Sequence, residues 1–449
     1  MATESNEREV TTPGPPAQPA PTAPGERIEV LDILRGFALF GVLAVNMLFF
    51  ANPFLLYFAE SQPWSHPIDH GAEWLISFFC TGKFYSLFSL LFGFGMAVQM
   101  SRVEARGGRF VRLYARRLFV LFGIGVCHVV FLWDGDILVH YALLGFLLLA
   151  FRKRARTTLI TWAIPCLFLT TLVTAGFIGL ARLAEGLPET PTSAPTTTPA
   201  TEPSATPTTA ATSQPDDTAF LNDWIDEARE VYAHGSYSEI LVHRLGEYAF
   251  VSIFTLLFMY GGVFGMFLLG LYTARRGVLH DVATHVGFIR RVAFWGLVLG
   301  VVGNLTTVVG AEYVSPTDPS WIAMIIAAAN AIGAPALCLF YAAGIVLLVQ
   351  KEAWKRRLSP LAAVGRTALS NYLLQSLVCT MVFNGYGLGL FGTTGPAFGL
   401  SLTIAVYLLQ ILLSVWWLRR FRFGPAEWLW RSLTYAKLQP IRQAADKTG

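Results

Sequence analysis

Long apolar runs divide this chain, and they constrain its fold more than any other feature. Ten runs, most of about twenty residues, which is the length that crosses a bilayer as a helix, lie near 30–50, 72–100, 116–133, 136–151, 157–182, 247–273, 290–310, 321–350, 361–384 and 396–418. Charged residues make up only 14% of the sequence, against about a quarter in soluble proteins. The sequence therefore predicts an all-α, polytopic integral membrane protein with about ten transmembrane helices, the second broken near Thr81-Gly82.

Basic residues are concentrated in every second loop between these runs. The clusters follow the second, fourth, sixth, eighth and tenth runs. When the termini and the helix ends on the same side are counted with them, 29 of the 33 Lys and Arg residues fall on one side, and the exceptions are Lys83, Arg182, Arg229 and Arg244. Because positively charged loops stay in the cytoplasm, the pattern predicts that both termini are cytoplasmic. The lipid bilayer is the first predicted partner, and no nucleic-acid partner is predicted.

Composition divides the chain into six segments. They are a cytoplasmic tail (1–28), a five-helix half (29–185), an extracytoplasmic linker (186–218), an amphipathic surface helix (219–246), a second five-helix half (247–436) and a terminal tail (437–449). The first tail is proline-rich and predicted to be disordered. The linker holds seven prolines and eleven threonines, a composition that is typical of a flexible tether.

The first run, LDILRGFALFGVLAVN at 31–46, contains polar residues at both ends. Arg35 and Asn46 are eleven residues apart, so they share one helix face and lie about 16 Å apart along the axis. Polar groups at membrane depth are costly and often functional, although snorkelling explains Arg35 and a helix–helix hydrogen bond explains Asn46 equally well. The shared face predicts one wall of a channel that starts at the cytoplasmic side.

The third and fourth runs form a predicted hairpin, GIGVCHVVFLWDGDILVHYALLG. His128 lies six residues before Asp134 and His140 lies six after it, so a tight turn places both imidazoles about 9 Å below the outer end of the hairpin. Two histidines at one level can act as base and orienting group, or bind a metal. Hydrogen bonds to a neighbouring helix explain them equally well. No third ligand is apparent, so no metal site is predicted.

Other polar residues extend this pattern. Lys83 lies on the side where basic residues are rare, which predicts a polar cavity or an acidic partner around it. Asn371 and Gln375 are one helical turn apart and share a face in the inner half of the membrane. Asp136 and Tyr141, at the hairpin, are predicted with Lys83 to contact a substrate. The predicted channel runs from Arg35, Asn371 and Gln375 to Asn46, Lys83, His128 and His140.

Five stretches together resemble the YeiB-like family of bacterial membrane proteins: LDILRGFALFGVLAVN, GKFYSLFSLLFGFG, the WDGDIL hairpin, GRTALSNYLLQS and FGPAEWLWRSLTY. The resemblance covers nearly the whole chain except the N-terminal tail and the linker. The C-terminal half of that family is catalogued as a domain of unknown function. The family is similar to transmembrane acyltransferases, including enzymes that O-acylate surface sugars and the lysosomal heparan-glucosaminide N-acetyltransferase. The resemblance implies a multi-pass protein of the bacterial cytoplasmic (inner) membrane.

The resemblance also implies a reaction. In the sugar O-acyltransferases the first helix carries an arginine, ten residues and then a catalytic histidine. The arginine matches Arg35, whereas Asn46 occupies the histidine position, as in the lysosomal enzyme. The predicted donor is cytoplasmic acyl-CoA, held near Arg35, Asn371 and Gln375. The predicted acceptor is an extracytoplasmic glycan, lipid or small metabolite.

The identity of the catalytic base is a separate question. An amide cannot remove a proton near neutral pH, so Asn46 is predicted either to donate a hydrogen bond to the thioester carbonyl or to position the acceptor. His128 is the favoured base, and His140, His66 and His70 are alternatives. The alternative function is a transporter or exporter of a small polar metabolite, in which the same polar residues line the path of the substrate. No inverted repeat or pair of broken helices of the transporter kind supports that alternative. A homodimer is compatible with the sequence.

Overall fold

The computed structural model describes residues 28–58, 64–185, 219–314 and 320–443. In these ranges the chain folds into sixteen α-helices and a short 3₁₀ helix, Phe54–Phe58. No β-strand occurs there apart from an isolated bridge between Phe421 and Arg442. The all-α class is therefore confirmed. The predicted tail at 1–28, except for its last residue, and the predicted linker at 186–218 lie outside the described residues.

The helices follow one another with short connections, as expected for long apolar segments that return through a bilayer. The first eight are α1 (Glu29–Ala51), α2 (Pro67–Phe79), α3 (Lys83–Ala105), α4 (Phe110–Phe131), α5 (Leu138–Ala150), α6 (Arg156–Leu167), α7 (Leu169–Glu185) and α8 (Ala219–His234). The next eight are α9 (Tyr237–Phe258), α10 (Tyr260–Arg275), α11 (Val282–Gly310), α12 (Trp321–Leu348), α13 (Glu352–Arg366), α14 (Ala368–Phe383), α15 (Pro396–Leu418) and α16 (Pro425–Tyr435).

Eight segments of the described chain are long and apolar enough to cross a membrane. They are Glu29–Ala51, Pro67–Ala105, Phe110–Phe131, Arg156–Leu180, Tyr237–Phe258, Val282–Gly310, Trp321–Leu348 and Pro396–Leu418. Two further apolar helices, α5 and α14, are shorter. The membrane-protein class is supported, whereas the count of ten spans and the cytoplasmic location of both termini stay predictions.

Several predicted spans are interrupted where the backbone changes direction. The second breaks between α2 and α3, where Gly82 adopts a φ of +85°, which glycine reaches without steric cost. The run at 247–273 is divided at Met259, and the run at 361–384 is divided at Thr367. The predicted surface helix at 219–246 also differs, because α9 begins at Tyr237 and continues through residue 258.

Helix α1 lies at the centre of the bundle and contacts α2, α3 and α12 to α15. It therefore joins the two predicted five-helix halves, since α13 to α15 belong to the second half. We call the end of the bundle where α1 begins the basic end, because Arg35, Arg366 and the cluster after α3 lie there. The basic end is the one predicted to be cytoplasmic.

Candidate functional site

A cavity of about 770 Å³ lies inside the bundle, and α1 forms one of its walls from end to end. We call the part at the basic end the basic lobe, which is lined by Arg35, Arg102, Arg106, Arg117, Arg366 and Arg431. We call the part at the opposite end the polar lobe, which is lined by Asn46, Asp134, Asp136, His140, Tyr232 and Glu247. The structure thus brings Arg35 and Asn46 to one cavity, in agreement with their shared helix face.

The basic lobe is built by a close contact between α1 and α13. A Cβ on Gly365 would overlap the backbone carbonyl of Asp32, so only glycine fits there. A Cβ on Gly36 would likewise overlap a backbone carbonyl of α13. Arg35 directly precedes Gly36, and Arg366 directly follows Gly365. The close contact of the two helices therefore brings both guanidinium groups to the cavity wall. Arg35 Nη1 lies 2.6 Å from Asp32 Oδ1.

Helix α16 closes the basic lobe from the side. The guanidinium of Arg117 lies 4.1 Å from the ring centroid of Trp430, and Trp430 Nε1 donates to the Arg117 carbonyl at 3.0 Å. The Glu427 carboxylate accepts the backbone N–H groups of Leu369 and Ser370 at 2.6 and 3.2 Å, which caps the N-terminus of α14. Burial raises the pKa of Glu427, and these hydrogen bonds oppose that shift.

Arginines outnumber carboxylates in the wall of the basic lobe. Six arginines line it together with two carboxylates, Asp32 and Glu427. One of the two, Glu427, uses its oxygens to cap α14. A cavity wall with several guanidinium groups favours a ligand with several phosphate charges, because the planar guanidinium binds phosphate oxygens in pairs.

The polar lobe is lined by the end of α1 and by the α4–α5 hairpin. His140 lies in its wall with Nδ1 2.8 Å from the hydroxyl of Tyr260. Tyr141 also lines the cavity, but its hydroxyl is engaged by Ser89 Oγ at 2.7 Å and donates to the Tyr85 carbonyl at 2.9 Å. The Tyr141 hydroxyl is therefore fully engaged, whereas His140 keeps its second ring nitrogen, Nε2, for a ligand.

Two carboxylates of the polar lobe were not predicted as site residues. Glu247 Oε2 accepts the hydroxyl of Tyr232 at 2.8 Å. Burial raises the pKa of Asp134 from its ordinary 3.8 to about 6, while its own backbone N–H, Arg244 and His128 lower it. The sequence did contain a signal for Glu247, since it is an acidic residue in an apolar run.

His128 lies behind the cavity wall. Its Nδ1 is 2.9 Å from Asp136 Oδ1, and its Nε2 is 2.8 Å from Ser376 Oγ. The imidazole is buried and absent from the cavity lining. Asp136 is among the lining residues, but its side chain is fully buried as well. The sequence does not indicate that Ser376 is a neighbour of His128, because α14 and α4 are far apart in the chain.

Three other predicted site residues lie outside the cavity wall. Lys83 is buried and donates to the Ser77 carbonyl at 2.8 Å, with no carboxylate at ion-pair distance in the described ranges. Asn371 donates to Ser414 at 2.9 Å and Gln375 donates to Gln410 at 2.8 Å, so both join α14 to α15. The side-chain amides of Asn371 and Gln375 thus link two helices by hydrogen bonds, as polar residues inside membrane bundles often do, and they do not reach the cavity.

No group of three or more His, Cys, Asp or Glu side chains in the described part of the chain could hold a metal ion. The cavity thus combines an arginine-lined lobe with a lobe that holds a histidine, an amide and carboxylates.

Comparisons with known proteins give the family. Residues 273–437, which include α11 to α16, match the family described as "Protein of unknown function (DUF418)". The chain is 38% identical to the "Uncharacterized protein YxaH" of Bacillus subtilis (strain 168), over 94% of this chain and 97% of that protein. It is 31% identical to the "Uncharacterized protein YeiB" of Escherichia coli (strain K12), over 92% and 98%. No solved structure matches. The prediction from the sequence motifs is confirmed, and the chain belongs to the YeiB-like family of bacterial membrane proteins.

Proposed function

We propose that this protein is a membrane-embedded acyltransferase of the bacterial cytoplasmic membrane. It moves an acyl group from cytoplasmic acyl-CoA to an extracytoplasmic glycan, lipid or small-metabolite acceptor. The observation that carries the proposal is the single cavity with arginines at one end and His140, Asn46 and Asp136 at the other. Such a cavity can hold the two ends of one elongated donor molecule in different chemical surroundings.

The basic lobe is the proposed site of the donor's phosphates. Arg35 and Arg366 present their guanidinium groups from the α1–α13 contact, and Arg117 is fixed against Trp430. Beyond them the cavity wall is apolar, with Leu39, Val42, Phe84 and Phe88 along it. This stretch suits the uncharged arm that links the phosphates of CoA to its thioester. Asn46, eleven residues beyond Arg35, lies about 16 Å further along α1.

Acyl transfer takes place at the polar lobe in this proposal. A lone pair of the acceptor's oxygen or nitrogen forms a bond to the thioester carbonyl carbon, and the carbon–sulfur bond breaks. The CoA sulfur leaves with that electron pair and finally takes the proton lost by the acceptor. Asn46 donates a hydrogen bond to the carbonyl oxygen as negative charge develops there. His140, anchored through Nδ1 by Tyr260, orients the acceptor with its other nitrogen.

Thermal unfolding and CoA release test the proposal on the purified full-length chain. We expect acetyl-CoA to raise the apparent Tm, and we expect free CoA thiol to accumulate. The double variant Arg35→Gln/Arg366→Gln should lose both effects, because it removes two cations from the basic lobe. Arg290→Gln is the matched control, since Arg290 is exposed and lies outside the cavity lining.

Two results would overturn the proposal. The first is a wild-type protein that acetyl-CoA does not stabilise and that releases no CoA. The second is energy-coupled uptake or efflux of a polar metabolite in proteoliposomes without any acyl donor, the result that the alternative function of export predicts.

A further inference from the structure

One end of the polar lobe has aromatic walls. Phe50, near the end of α1, stacks on Trp133 in the α4–α5 turn, with the ring centroids 3.9 Å apart. Tyr232 of α8 stacks on Phe391, in the segment between α14 and α15, with the centroids 4.8 Å apart. All four residues line the cavity, and we call this part of the polar lobe the aromatic pocket.

Backbone hydrogen bonds join these parts of the chain around the aromatic pocket. The N–H of Gly385 donates to the Tyr232 carbonyl at 2.7 Å, and the N–H of Gly392 donates to the Ala51 carbonyl at 2.7 Å. The segment between α14 and α15 therefore contacts both α8 and the end of α1. Helix α9 adds Glu247, whose Oε2 accepts the Tyr232 hydroxyl at 2.8 Å. The pocket is thus built by segments that are far apart in the chain.

Two carboxylates, Asp134 and Glu247, line the cavity at the aromatic pocket. Within the described ranges, neither carboxylate forms an ion pair with a Lys, Arg or His side chain. The buried cation of this region, Arg244, donates from Nη1 to the Val130 carbonyl at 3.2 Å and is absent from the cavity lining. Because a charge in an apolar wall is costly without a counter-charge, the pocket favours a cationic ligand.

Two buried asparagines add unpaired oxygen atoms to the pocket. Asn52 and Asn384 line the cavity and are 6% and 5% exposed. Asn52 Nδ2 donates to the Leu48 carbonyl at 3.3 Å, and Asn384 Nδ2 donates to the Tyr386 hydroxyl at 2.9 Å. In the part of the chain that the structure describes, neither Oδ1 atom has a hydrogen-bond partner, and each keeps accessible surface at the cavity wall. Such oxygens are suited to accept hydrogen bonds from a ligand.

These groups select for positive charge and for hydrogen-bond donors together. Carboxylates and amide oxygens accept hydrogen bonds, and the Tyr232 hydroxyl already donates its proton to Glu247. Aromatic walls attract an organic cation through their π-electrons, whereas they offer a metal ion no ligand atoms. A protonated amine supplies the charge, the N–H donors and an apolar body. The basic lobe and the aromatic pocket therefore favour ligand groups of opposite charge.

We infer that the aromatic pocket binds an organic ammonium ion that carries N–H donors. Asp134 and Glu247 balance its charge, and the side-chain oxygens of Asn52 and Asn384 accept its N–H groups. The binding itself does not depend on acyl-CoA. That the bound amine is also the acceptor rests on the proposed function, which places the acceptor in the polar lobe. The new bond is then carbon–nitrogen, and an ammonium ion and acetyl-CoA give an amide, the CoA thiol and one free proton.

Thermal unfolding of the purified full-length protein in detergent tests this binding with three related probes. At neutral pH ethanolamine is a cation with N–H donors, ethylene glycol is its uncharged counterpart, and choline is a cation without N–H donors. We expect ethanolamine to raise the apparent Tm with saturation, relative to sodium chloride at equal ionic strength. Ethylene glycol should not do so. Choline should require a concentration about tenfold higher or more, because it lacks the charge-assisted hydrogen bonds.

Variants locate the binding within the molecule. Glu247→Gln keeps the shape of the side chain and removes its charge, so half-maximal stabilisation should need about tenfold more ethanolamine or more. Glu230→Gln is the matched control, because Glu230 of α8 is exposed and lies outside the cavity lining. It should respond as wild type does. If Glu247→Gln does not fold, Asp134→Asn tests the same charge requirement at the other carboxylate. Stabilisation by acetyl-CoA should persist in each variant.

Different results overturn different statements. Equal stabilisation by ethanolamine and ethylene glycol, or by ethanolamine and sodium chloride, would overturn the ammonium site. Equal stabilisation by choline would overturn the requirement for N–H donors. Equal responses of Glu247→Gln and Glu230→Gln would place the binding outside the aromatic pocket. A protein that acetyl-CoA stabilises and ethanolamine does not would refute this inference alone, whereas the reverse result would refute the proposed function and leave the ammonium site standing.

Discussion

At the scale of single residues, the polar side chains inside the bundle are of two kinds, which differ in where their hydrogen-bond partners lie. Asn371 and Gln375 find partners on α15, and Lys83 finds the Ser77 carbonyl. Such groups are satisfied within the fold and act as links between helices. His140 is of the second kind, with the Tyr260 hydroxyl on one side and the cavity on the other. Only the second kind is available to a ligand.

Asp134 provides a residue-scale prediction about pH. Its pKa is about 6 in the folded protein and 3.8 as an ordinary carboxyl, so the folded state binds more protons between these values. The free energy of unfolding that Asp134 contributes is therefore full below about pH 4 and is lost as the pH rises through about 6. Asp134→Asn stays uncharged and removes this dependence.

Thermal unfolding of the two proteins checks this prediction. We expect the apparent Tm of wild type, relative to Asp134→Asn, to fall by a few degrees between about pH 4 and pH 7. The difference between the two proteins, rather than wild type alone, isolates this carboxyl from the others. A difference that does not change with pH, or that increases with pH, would contradict the prediction.

At the scale of elements, glycines decide how closely the helices approach and where they end. Gly82 ends the irregular turn between α2 and α3 and lets α3 begin at Lys83. Gly36 and Gly365 bring the backbones of α1 and α13 together. Arg35 and Arg366 are the chain neighbours of these glycines. The close packing of α1 and α13 therefore also fixes the positions of two cations in the cavity wall.

The contact between α1 and α13 gives the second prediction. In Gly365→Ala the new Cβ meets the Asp32 carbonyl and the Gly36 nitrogen, so the backbones must separate. We expect a loss of about 1–3 kcal/mol in the free energy of unfolding, the usual cost of overpacking, and a weaker stabilisation by acetyl-CoA because Arg366 moves.

Gly344→Ala in α12 is the matched control, since a Cβ there meets nothing within 4 Å. Its apparent Tm should equal that of wild type or exceed it slightly, because alanine favours the helix. Equal effects of Gly365→Ala and Gly344→Ala would show that the α1–α13 contact does not limit stability.

At the scale of the whole molecule, the basic loops and the arginine-lined part of the cavity lie at the same end of the bundle. The basic loops lie at the end of the bundle where the arginine-lined lobe is found, and the polar lobe lies at the other end. If the basic end is cytoplasmic, as the loop charges predict, the arginines face the compartment that holds acyl-CoA. The polar lobe then faces the compartment of the acceptor. The orientation of the protein and its proposed reaction therefore depend on one another.

Reporter fusions test this orientation. A fluorescent protein fused after residue 449 should fluoresce, and alkaline phosphatase at the same position should be inactive, because the C-terminus is predicted to be cytoplasmic. Alkaline phosphatase inserted in the linker at 186–218 should be active, since that loop is predicted to lie outside. The opposite pair of results would place the arginines outside and contradict the proposed donor side.

The sequence by itself determined the membrane class, the family and the pair Arg35 and Asn46 on one wall. These features are local, because run length, loop charge and helical spacing follow from neighbouring residues. Only the tertiary structure decided that His128 lies behind Asp136, that Asn371 and Gln375 bond to α15, and that Ser376 joins the site. Whether a polar group meets a cavity or another helix depends on which helices pack beside it, and contacts between α4 and α14 involve residues about 250 positions apart in the chain.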